Sequence, residues 1–303
     1  MLILLIILCL AAGSATDTGN ICVVRTASDL AAGKPERAVG TLLTVACAAS
    51  VIFAETTFGW QRYPAPWSYP TLFTVAGAAV FAIGALVNGA CAIGTIGRLA
   101  RGEVGYLATL AGAAVVTFLI APIAAPVEAS GPSLMTGANW LAIVIVTATL
   151  AIGLGRHLLS LRSLAAYGVL GLAAASLAAL RGDWTWLGVM QQLRDGMSPD
   201  VLAILCLGAF IGGAAMTAMF RHRFHVVWPD RNAVLREGAG GGLMALGTIL
   251  IPGGNDGLLI RGVPSGSPLA LAAYAVMFTL MIAMIRLLPL CRRWAVWPQW
   301  RTS

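Results

Sequence analysis

Two cysteines stand at the same place in two copies of one short string. From Cys22 the chain reads CVVRTASDLAAG, and 69 residues later, from Cys91, it reads CAIGTIGRLARG. Aligned without gaps, the copies share Cys22/Cys91, Thr26/Thr95, Leu30/Leu99, Ala31/Ala100 and Gly33/Gly102. Neither string is a CxxC motif, and six cysteines scattered over 303 residues make no disulfide framework, so any thiol chemistry is that of single S–H groups. Each copy also carries polar residues that a lipid-facing helix avoids: Asn20, Arg25, Thr26 and Asp29 in the first, Asn88, Thr95 and Arg98 in the second. Gly19, Gly89, Gly94 and Gly97 permit sharp turns and close backbone approach. Thiols beside free backbone N–H groups at half-helix N-termini suit the handling of an anion. The alternative for each cysteine is a small core hydrophobe, which is the reading for Cys9 and Cys47 and the default for Cys206.

The elements that must position these residues are membrane helices. Of the 303 residues 59% are hydrophobic and only 10% charged, against about a quarter charged in an ordinary soluble domain. A mean hydropathy of +0.86 leaves too little polar surface to cover a water-soluble globule. Apolar stretches at 1–13, 38–54, 71–88, 104–125, 138–155, 164–180, 201–220, 238–252 and 267–290 predict an all-α polytopic membrane protein with about nine crossings or part-crossings. Residues 1–13 are either a short first span or a signal segment, which would lack its basic leader. Alternate loops hold Arg25, Lys34 and Arg37; Arg98 and Arg101; Arg156 and Arg162; Arg221, Arg223, Arg231 and Arg236; and Arg292, Arg293 and Arg301. The opposite loops hold only Arg62, Arg181, Arg194 and Arg261. This bias predicts a cytoplasmic C-terminus and an N-terminus outside, and it accounts for a net charge of +7 without nucleic-acid binding. Arg98 and Arg101 are therefore read both as topology signals and as attractors for an anion. Trp60, Tyr63, Trp67, Tyr69, Trp184 and Trp186 in the outer loops read as interfacial anchors.

Repeated, Gly-interrupted apolar segments point to broken helices or loops that dip inward to a central constriction. A fainter echo of the second string is Met244-Ala245-Leu246-Gly247-Thr248, which has no cysteine. A third polar island, Pro252-Gly253-Gly254-Asn255-Asp256-Gly257, is either another dipping element or an exposed turn. The chain is read as a single membrane domain over 1–303, with pseudo-repeat halves of about 1–137 and 138–303.

At Gly19-Asn20-Ile21-Cys22 with Asp29-Leu30, at Asn88 through Thr95, and at Gly241-Gly242-Leu243-Met244 leading to Pro252 through Asp256, the chain resembles the YeeE/YedE family. The resemblance runs from about Gly19 to the last span. It implies a bacterial inner-membrane carrier for sulfur compounds, thiosulfate in particular, with an hourglass-like fold and a cytoplasmic sulfur-carrier protein as partner. Many members carry a further cysteine after the second-half glycines, where this chain has Gly254 and Asn255. Later thiol work would then fall to Cys206 or Cys291, or to neither.

Thiosulfate is a dianion with a soft terminal sulfur and three hard oxygens, so a weakly donating S–H suits one end and N–H or O–H donors the other. A weak bond also lets the ion leave. The residues expected along such a pathway are Cys91, Cys22, Asn20, Thr26, Asn88, Thr95, Arg98, Asn255, Asp256 and Cys291. No catalytic residue, metal or cofactor is expected. His157, His222 and His225 fall on cytoplasmic loops, away from Cys91, and no GxxxxGK[ST] loop suggests direct ATP coupling. The competing function is a membrane sulfurtransferase that forms a persulfide on Cys91; a subunit without a path of its own leaves the polar islands unexplained.

Overall fold

In the computed structural model residues 2–58, 69–120, 153, 158–181, 186–194, 201–251 and 254–291 are described. Among them the elements are helical, with a single isolated β-bridge between Glu103 and Val227. One plan recurs: a long helix, a break, a short helix, then a second long helix. It first appears as α1 (Leu2–Gly19), α2 (Val23–Ala31) and α3 (Glu36–Phe58), then as α4 (Leu72–Asn88), α5 (Ala92–Ala100) and α6 (Tyr106–Ile120). In the second half it gives α7 (Leu161–Leu180), α8 (Trp186–Arg194) and α9 (Val201–Phe220). It closes with α10 (Arg231–Leu250), α11 (Gly254–Gly257) running into a π-helical turn (Leu258–Gly262), and α12 (Pro268–Cys291).

The architecture is that of an all-α polytopic membrane protein. Six segments are long and apolar enough to cross a bilayer: α1 with α2, most of α3, α4 with α5, α7, α9 and most of α12. A seventh results if α10 and its continuation to Gly262, bent by 52°, count as one broken span. The sequence reading of about nine crossings differs in identifiable ways. The stretch 104–125 yields a helix of only 15 residues, Tyr106–Ile120, and 138–155 lies, except for residue 153, outside the described residues. The stretch 1–13 is part of a longer helix that continues past a break to Ala31.

Small residues hold the helices together. Without a hydrophobic drive between helices in lipid, close backbone approach at glycine supplies the packing. A Cβ on Gly13 would meet the Phe210 carbonyl, and one on Gly213 would meet that of Leu10, so α1 and α9 touch backbone to backbone. Gly171 brings α7 equally close to the Thr44 carbonyl of α3, and Gly241 brings α10 to the Thr109 carbonyl of α6. Large apolar side chains such as Leu72, Leu161 and Phe220 point outward, the arrangement lipid permits. Trp186 corrects an expectation: it is no interfacial anchor but is 4% exposed, and its indole N–H donates to the Ala92 carbonyl at 3.2 Å. An indole buried in protein needs such an acceptor. Trp60, Tyr63, Trp67 and Trp184 lie outside the described residues.

Candidate functional site

The two repeat strings fold alike. α2 and α5 are nine-residue helices, and each begins directly after its cysteine. The preceding helix is stopped by a residue in the left-handed region, Asn20 (φ 50°) in the first copy and Gly89 (φ 80°) in the second, as helix C-termini commonly are. Cys22 and Cys91 then take extended backbone as the N-cap residues of α2 and α5. Gly33 and Gly102, again equivalent, follow the ends of the short helices with positive φ.

The two N-termini converge on one sulfur. Cys91 Sγ accepts the Gly94 N–H of its own helix at 3.4 Å and the Val23 N–H of the opposite helix, also at 3.4 Å. The Cys22 thiol lies over Gly94, whose missing side chain makes the room: a Cβ there would come within 2.7 Å of Cys22 Sγ. The two thiols are neighbours, both free of disulfides and both buried.

Beside the thiols is a pocket lined by Thr16, Asn20, Cys22, Arg25, Arg98 and Arg101, with Gly94 and Gly97 in its wall. Its charges do not cancel. Arg101 Nε donates to Asp17 Oδ1 at 2.6 Å, its Nη1 to Asn20 Oδ1 at 3.1 Å and its Nη2 to the Asp17 carbonyl at 3.2 Å. Arg98 pairs with Glu103 at 3.0 Å and lies 5.4 Å from the centre of the Tyr106 ring. The Arg25 side chain has no carboxylate or hydrogen-bond partner among the described residues, and it faces Arg98 and Arg101. Three guanidinium groups thus meet two carboxylates around a small opening, which favours an anionic guest.

The remaining expected residues divide into three groups. Asn20 and Arg98 line the pocket. Asn88, Thr95 and Thr26 shape the breaks. The Asn88 amide donates to the Ala90 carbonyl at 2.8 Å and to the Thr95 hydroxyl at 3.0 Å, and its oxygen accepts from the Thr109 hydroxyl at 2.7 Å. Those bonds occupy its polar atoms on the turn that carries Cys91. The Thr26 hydroxyl donates to the Cys22 carbonyl at 3.0 Å. Asn255 and Asp256 sit, buried, at the second-half break. Cys291 ends α12, and its side chain lies outside the described residues. Cys206 adjoins Cys9 where α9 packs on α1, a packing position, and it does not line the pocket.

Sequence reasoning missed Asp17, the partner of a pocket arginine, and noted Arg25 only as a polar residue of the first repeat and not as a pathway residue. Asp17 is fully buried near the end of a helix with no other charged residue, and a carboxylate so placed was the available sign of a buried partner. Arg25 has glycine in its equivalent position in the second copy, so the repeat did not point to it.

Residues 18–136 match a protein family described as sulphur transport, in agreement with the YeeE/YedE resemblance. The matched segment holds both breaks, both thiols and all three pocket arginines. No curated protein matches the chain.

Proposed function

We propose that this multi-pass membrane protein, matched over residues 18–136 to the sulphur transport family, takes up thiosulfate across a bacterial inner membrane through a gate formed by Cys22 and Cys91. The observation that carries the reading is the meeting of two N-cap thiols beside a pocket with one guanidinium in excess. A dianion is drawn by Arg25, and its oxygens find donors in the guanidinium groups and in the N-termini of α2 and α5. Its terminal sulfur meets S–H groups, which bond weakly enough to release it. With the Arg-rich loops on the cytoplasmic side and the N-terminus periplasmic, the ion passes the thiols first and leaves by the arginine pocket. The whole chain acts as one transport domain, and a cytoplasmic sulfur-carrier protein receives the ion.

The test is uptake of labelled thiosulfate into proteoliposomes holding wild type, Cys91→Ala or Cys22→Ala. Uptake falls at least tenfold in Cys91→Ala and markedly in Cys22→Ala, while the melting temperature of each changes by only a few degrees. Undiminished uptake by Cys91→Ala removes the mechanism.

A further inference from the structure

One amide side chain and one phenol oxygen are enclosed in the apolar interior with no hydrogen-bond partner among the described residues. Asn255 is 1% exposed, and neither its amide nitrogen nor its amide oxygen has a partner among the described residues. The Tyr274 hydroxyl is likewise enclosed and unpartnered. Groups of this kind are nearly always satisfied, so each such exception calls for a ligand, a water or a functional role. Packing does not explain them, because Leu and Phe fill the same shapes without a polar atom to desolvate.

Both side chains belong to elements that lead to the thiols. Tyr274 lies on α12, which packs against α2, the helix capped by Cys22. Asn255 lies on α11, which packs against α5, the helix capped by Cys91. Gly254 turns the chain there with φ +56°, and a Cβ on it would press to 3.0 Å from the Thr248 methyl and 3.2 Å from Leu187. The π-helical turn that follows is a rare form frequently found at functional sites. Neither Asn255 nor Tyr274 lines the arginine pocket.

We propose that the Tyr274 hydroxyl and the Asn255 amide form a second, uncharged station for the same anion, reached from the side of the thiols away from the arginines. The inference rests on the transport reading. At this station the O–H and the N–H groups donate to the oxygens of a tetrahedral sulfur oxyanion while its terminal sulfur engages Cys91. Neutral donors fit a way-station: they replace part of the water the dianion sheds, yet hold it less tightly than an ion pair. The charged pocket beyond the thiols then draws the ion onward.

The experiment measures initial rates of labelled thiosulfate uptake, at concentrations below saturation, by full-length wild type, Tyr274→Phe and Asn255→Leu in proteoliposomes, with a melting curve for each. Both substitutions keep the shape and remove the donors. Each variant is expected to lose about tenfold in rate through a raised KM, equivalent to about 1.4 kcal/mol, with a melting temperature equal to or above that of wild type. Wild-type rates in both variants overturn the proposal and leave ordered water as the occupant. A loss of rate that tracks a lowered melting temperature in both variants also overturns it, because the groups are then structural. If wild type itself takes up no thiosulfate, the transport reading falls and this inference with it. Normal uptake by the two variants beside a defective Cys91→Ala defeats the inference alone.

Discussion

Arg25 and Gly94 occupy equivalent positions in the two copies of the repeat and differ in what they contribute to one pocket. Gly94 leaves room for the Cys22 thiol, and Arg25 supplies a charge that no carboxylate among the described residues answers. If Arg25 holds the anion, Arg25→Gln lowers the initial rate of thiosulfate uptake about tenfold, the loss of one charge-assisted contact. Its melting temperature stays level or rises, since a cation facing Arg98 and Arg101 has been removed. Arg25→Lys, which keeps the charge without the fork, retains an intermediate rate. Equal uptake by wild type and Arg25→Gln would place Arg25 outside the path. Of this pocket, the thiols and Arg98 were legible because they belong to the repeat and its polar flank. Arg25 was visible only as one polar residue among several, because basic residues near span ends also report topology. Asn88 was legible as out of place in lipid, but its bonds to Ala90, Thr95 and Thr109 link turns that no local pattern joins.

At the scale of elements, the broken helix is the unit of construction. A left-handed residue stops the long helix, a cysteine caps the short one, and the two short helices aim their N-termini at each other. The first unit is tied to the second by Asp17 on α1, which is fully buried and binds Arg101 just beyond α5. Removing one partner of such a pair strands the other, at a cost of about 3–5 kcal/mol. Asp17→Ala is therefore expected to lower the melting temperature of the purified protein substantially, whereas Asp17→Asn, which keeps the hydrogen-bond acceptor, lowers it less; identical melting curves for all three proteins would contradict the tie. The repeat in the first half could be read from shared letters. Its counterpart in the second half could not, although α10 begins 70 residues after α7 and each is followed by a short helix. There the copies share helix length and order, not the cysteines that made the first pair stand out, so Met244 through Thr248 gave only a faint echo.

At the scale of the whole molecule, composition settled the solvent and helix class, because a chain this apolar must satisfy its backbone within helices when it sits in lipid. The number of crossings was less legible. Hydropathy cannot tell a full span from a 15-residue helix or from a bent pair whose second part is short, and α6 and the α10–α11 bend are such cases. Trp186 was misplaced for a related reason: an aromatic residue after a span reads as an anchor until the chain folds back and buries it against Ala92. The proposed path strings polar groups through an apolar body: the Tyr274 and Asn255 donors, the two thiols, then the arginines. The central claim is that a thiosulfate ion crosses this line intact. Thiosulfate labelled with one isotope on its terminal sulfur and another on its central sulfur, offered to proteoliposomes, tests it most directly. The account predicts that both labels enter the lumen in equal amounts and that Cys91 gains no mass. Retention of the terminal-sulfur label on the protein as a Cys91 persulfide, with the central-sulfur label released as sulfite, would contradict it.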